Sequence, residues 1–132
     1  MIEGSMMMIT LFGMLICIMD MGRILLMQEY LTERARTTAR KAVVNNWTAA
    51  EVQNYLVYNN TTAPDGGGAG YLGLLPSQVS YQALGTAGKA DYRLQVKVSG
   101  VPVLTWIPYI AGSYTLAPIV ATMPAQSLGA TT

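Results

Sequence analysis

The sequence predicts an α+β fold: a long N-terminal α-helix, a short second helix, and a small antiparallel β-sheet of about three strands packed on the long helix. Three observations predict it. No proline precedes Pro64, so nothing breaks a helix that begins near residue 2. Thr48-Ala-Ala-Glu51 is a capping-box pattern that opens a second helix. Beyond Gln78 the apolar residues recur every second position, the period of half-buried strands. The chain therefore divides into residues 1–46, the long helix, and residues 47–132, which hold the second helix, a Gly-rich loop and the β-domain.

The composition asks for burial beyond what one small domain supplies. Of 132 residues, 52% are apolar and only 11% charged, and the formal net charge is +1. That balance creates no field to draw nucleic acid or acidic substrates. There is no His and one Cys, Cys17, which excludes a Cys/His metal site, an imidazole base and a Ser-His-Asp triad by inventory. Cys17 lies inside the apolar run and is expected to be a buried, inert thiol. The carboxylates Glu3, Asp20, Glu29, Glu33, Glu51, Asp65 and Asp91 suggest no catalytic pair, so the chain reads as a structural protein and not an enzyme, with no cofactor.

The long helix changes character along its length. Met6 to Met19 is fourteen residues without a charge, and the apolar character resumes after Asp20-Met21-Gly22-Arg23 as Ile24-Leu25-Leu26-Met27. A helix needs about 20 apolar residues to cross a bilayer, and Met6 to Met27 gives 22 if Asp20 and Arg23 are tolerated near one end. Standing three apart, they share a helical face and can pair, while Arg23 can snorkel toward headgroups. Met7, Leu11, Met14, Ile18 and Leu25 are the expected helix-core packing positions of this half, and the methionines suit adaptable packing between copies.

A cleaved signal peptide is rejected for this segment: Met1 to Ser5 carries only an acid, no clear cleavage site follows, and the helical pattern runs straight on. Arg23, Arg34, Arg36, Arg40 and Lys41 all follow the apolar run. Taken alone, they would hold the C-terminal part in the cytoplasm; a removed basic leader would reverse that, which makes Met1 the expected mature N-terminus after leader cleavage.

From Met27 the apolar positions become Met27, Leu31, Ala35, Thr38 and Ala42, with Glu29, Glu33, Arg36 and Arg40 largely elsewhere: an amphipathic second half. A helix from about residue 2 to 45 is roughly 65 Å long, more than a monomer of this size covers. Its all-round apolar half needs lipid or other copies of itself.

The second helix, about Thr48 to Tyr58, presents Val52, Tyr55 and Leu56 on one side. Pro64-Asp-Gly-Gly-Gly-Ala-Gly70 lacks the following Lys-Ser/Thr of a phosphate loop and reads as a surface loop. Gln78 to Leu84 and Tyr92 to Val98 alternate as strands. Val101 to Ile110, broken by Pro102 and Pro108, is an extended crossover or edge. Its Trp106, Ile107, Tyr109 and Ile110 either cap the sheet or form an outer contact patch. Ser113 to Thr122 reads as a last strand, with Pro118 marking an edge or bulge. The sequons at Asn46-Trp47-Thr48 and Asn60-Thr61-Thr62 read either as chance matches or as local turn and cap chemistry.

These features resemble the TadE-like family of pilins and pseudopilins of tight-adherence systems, which are type IV pilin-like. The resemblance rests on Glu3 ahead of an apolar run closed by Asp20-Met-Gly-Arg23, and on the continuation Glu33-Arg-Ala-Arg-Thr-Thr-Ala-Arg40-Lys-Ala-Val-Val44. It rests further on the strand Val96-Lys-Val98 leading to Pro108 and on the Thr/Ala-rich strand Leu116 to Met123. The first forty-odd residues match most specifically; Glu3 stands two positions before the usual fifth-residue Glu, and Met19 and Met21 flank Asp20 where aromatic and β-branched residues are commoner. The resemblance implies processing by a prepilin peptidase and insertion in the inner (cytoplasmic) membrane. It implies further that assembly machinery packs the helix into an extracellular homopolymeric filament, in which Glu3 would neutralise a neighbour's N-terminal amine. A minor membrane-anchored pseudopilin that primes or regulates assembly is the alternative.

Overall fold

The computed structural model describes residues 2–86, 89, 91–105 and 114–125, and shows the α+β class expected. Helix α1 spans Ile2–Asn45, 44 residues without interruption. It stops at Asn46, whose φ of 49° is left-handed, while the Trp47 N–H returns to the Ala42 carbonyl at 3.2 Å. Helix α2 spans Ala49–Tyr58. Its start is the predicted capping box: the Glu51 N–H donates to the Thr48 hydroxyl, and Glu51 Oε2 accepts from the Thr48 N–H at 2.7 Å. Asn59, also left-handed, ends the helix. The two sequons thus carry local roles, since Thr48 is the cap and Asn60 Oδ1 accepts from the Thr62 N–H at 3.3 Å.

Strands β1 (Val79–Leu84), β2 (Arg93–Val98) and β5 (Ile119–Pro124) form an antiparallel sheet with β2 in the centre. The register sets Val79, Val98 and Ile119 in one row and Tyr81, Val96 and Ala121 in the next, on the face toward the helices, where β2 and β5 pack on α1 and β1 on α2. Two short strands, β3 (Pro102–Val103) and β4 (Tyr114–Thr115), pair separately. The expected single strand from Ser113 to Thr122 is therefore split: Leu116–Pro118 separates β4 from β5, because Pro118 has no N–H to give a ladder. β5 is an edge strand, where its proline Pro124 is tolerated.

The core lies between this sheet, α2 and the second half of α1. Leu31, Ala35, Thr38, Ala39 and Ala42 are the buried residues of that half, and their small side chains let the sheet approach closely. The buried Thr38 hydroxyl is satisfied by the Arg34 carbonyl at 2.8 Å. From α2 come Val52, Leu56 and Val57. Tyr55, expected on that inner face, is only half-buried and instead stacks on Trp47 at 4.8 Å beneath Lys41, whose ammonium is 4.6 Å from its ring.

Residues 71–78 also contribute, which the strand periodicity did not announce. A 3-10 turn at Tyr71–Gly73 sets Leu74 into the core and brings the Tyr71 ring to 4.8 Å from the Arg34 guanidinium. Gly70 is required there, because a Cβ would meet the Val57 carbonyl oxygen at 2.3 Å.

Candidate functional site

The distinguishing feature is the exposed first half of α1, in which, among the described residues up to Arg23, Asp20 alone is buried. Within Ile2–Asn45 lies an 18-residue window of mean hydropathy 1.9, of which 6% is buried. By length and composition this is a helix that can cross a membrane. Met7, Leu11, Met14, Ile18 and Leu25, the expected packing positions, are all exposed on the single chain. With Met21 they are spaced alternately by four and three, the seam spacing of helices packed side by side. Cys17 is likewise exposed, so its expected burial is not supplied within one chain. Glu3 lies in the first turn of α1, where its charge complements the helix dipole.

Asp20 and Arg23 mark where the bare half ends. Their charges stand 3.8 Å apart across one helical turn. Their surroundings differ: Asp20 is 5% exposed, while the Arg23 side chain is 48% exposed. Arg23 also donates to the carbonyl oxygen of Leu104, so the pair holds the segment beginning at Val101 against the helix. The pairing read from the three-residue spacing is present, and the link to Leu104 was invisible at that level, because it spans 81 positions of sequence. Trp106, Ile107, Tyr109 and Ile110, weighed as an outer contact patch, lie outside the described residues.

Beside Arg23 runs a shallow groove of about 400 Å³ lined by Leu26, Met27, Tyr30, Leu72, Val103 and Leu104. Leu72 has φ 57°, an uncommon left-handed conformation for leucine, and is exposed, as are Leu26, Tyr30 and Leu104. Sequence reasoning missed Leu72 and Leu104 as surface residues; the nearest signal was the apolar run from Val101, read for its later members. Among the described residues no three His, Cys, Asp or Glu side chains cluster as for a metal. No protein-family model, curated protein or solved structure matches the chain.

Proposed function

We propose that this chain is a structural, non-enzymatic pilin subunit: anchored first in the inner membrane by α1, then polymerised through that helix into an extracellular filament. The observation that carries the reading is the division of one unbroken helix. Its second half is clothed by α2 and the sheet, while its first half is apolar on all sides and bare. A bare apolar helix of this length is stable in lipid, or in a bundle of identical helices that takes lipid's place. The TadE-like pattern of Glu3, apolar run and Asp20-Met-Gly-Arg23 supports the same reading.

On this reading the partners are further copies of the chain, with a prepilin peptidase and assembly machinery acting before polymerisation. Electron microscopy of fibres sheared from cells, with mass spectrometry of their protein, tests it. Uniform filaments built of this polypeptide are expected. Fibres in which it is absent or only a trace component would replace this reading with that of the membrane-anchored accessory.

A further inference from the structure

We infer that the edge of the β-domain formed by Leu104 and Leu72, together with Leu26 and Tyr30 of α1, docks on the boundary between headgroups and acyl chains of the bilayer. This rests on the membrane step of the reading above, and applies whether or not the chain polymerises. The argument begins with axial distance. Arg23 stands 21 residues after Ile2, so α1 covers about 32 Å between them, close to the ~30 Å of a hydrocarbon core. A helix inserted with its first turn at one face therefore delivers Arg23 to the other.

Arg23 carries part of the domain to that level. Its guanidinium donates to the Leu104 carbonyl and pairs with Asp20, which fixes the segment from Val101 to Leu104 beside the emerging helix. What this segment shows to the surroundings is apolar: the Leu104 side chain is 77% exposed. Leu72, turned outward by its left-handed backbone, lines the same groove, with Leu26 and Tyr30 one and two turns beyond Arg23. Leucines, a tyrosine and a half-exposed arginine form the mixture that suits the interfacial zone, with an apolar body and a polar or cationic tip. Helix α1 itself runs on to Asn45, 22 residues and about 33 Å past Arg23, so its far end stands well clear of that level.

Fluorescence depth measurements on the full chain in phospholipid vesicles test this. Against a Cys17→Ser background, single cysteines replace Leu15, Leu104, Leu72 or Ala50, all exposed positions, and carry an environment-sensitive label. The quenchers are lipids with a nitroxide deep on the acyl chain, which report on the label at 15 near the middle of the span, and lipids with a nitroxide near the glycerol backbone, which report on 104 and 72; the label at 50 is read with both. Labels at 15, 104 and 72 are expected to be quenched at least about twofold more than the label at 50, which sits by the far end of α1. Quenching at 15 with 104 and 72 no greater than 50 overturns the docking edge and leaves the membrane helix standing. No excess quenching at 15 removes the membrane step, and the inference falls with it. The two reporters on separate segments, 104 and 72, keep the test open if one variant folds poorly.

Discussion

Glu51 and Asp20 are both carboxylates with partners nearby in sequence, and their surroundings make them behave differently. The backbone N–H of Thr48, and then its hydroxyl, hold the Glu51 carboxyl below its ordinary value of 4.5. A depressed folded-state value means that the stabilisation is complete above about pH 4.5 and is lost as the pH falls through the lower folded value. Amide protection factors at the start of α2, corrected for the pH dependence of intrinsic exchange, should therefore fall on acidification below that point. In Glu51→Gln the acid limb should vanish; an unchanged limb would place its origin elsewhere. Asp20 is buried while its partner Arg23 is half-exposed at 3.8 Å, so solvent screens much of their attraction. Because Asp20 itself is buried, Asp20→Asn should still cost about 1–3 kcal/mol in denaturant unfolding of the detergent-solubilised protein. A loss below about 0.5 kcal/mol would mean that the buried carboxylate contributes little to the fold.

At the scale of elements, α1 should respond to the same substitution in two ways. Leu31 is fully buried against the sheet and α2, and Leu31→Ala should destabilise the β-domain by about 2–5 kcal/mol. Leu25, less than two turns earlier, is exposed, and Leu25→Ala should move the same transition by less than about 0.5 kcal/mol in detergent. Equal losses would contradict the division of the helix. That division was legible in sequence, because Leu31, Ala35, Thr38 and Ala42 recur at three-to-four spacing whereas Met6 to Met19 has no polar face. The alternation from Arg93 to Val98 was equally legible and matches the burial of Leu94, Val96 and Val98. The turn at Tyr71–Gly73 was not, since it depends on Gly70 fitting against Val57 and on Arg34 reaching Tyr71, contacts with no local period. The small β3–β4 ladder escaped for a related reason: two-residue strands are too short to alternate. Of the candidate site, the Asp20–Arg23 pair follows from spacing alone, while the hold on Leu104 arises only once the chain has folded back.

For the whole molecule, the bare half of α1 poses an electrostatic problem that Glu3 makes specific. In a bilayer the first turn of a spanning helix lies at the interface, where Glu3 is hydrated and complements the helix dipole. In a bundle of such helices the same carboxylate is drawn among apolar side chains, and a buried charge without a partner is strongly destabilising. A neighbouring copy's N-terminal ammonium is a cation whose own burial raises the same difficulty, and pairing answers both. Glu3→Ala should therefore separate the two environments. The variant should still enter membranes, keep its β-domain fold by circular dichroism, and unfold at an unchanged denaturant concentration, because Glu3 lies far from the core. Filament yield, measured as the sheared-fibre fraction against the membrane fraction, should fall on the order of tenfold or more, with the neutral but polar Glu3→Gln falling less. Wild-type yield from Glu3→Ala would show that assembly proceeds without this charge, and would leave the four-and-three seam from Met7 to Leu25 to determine how copies associate.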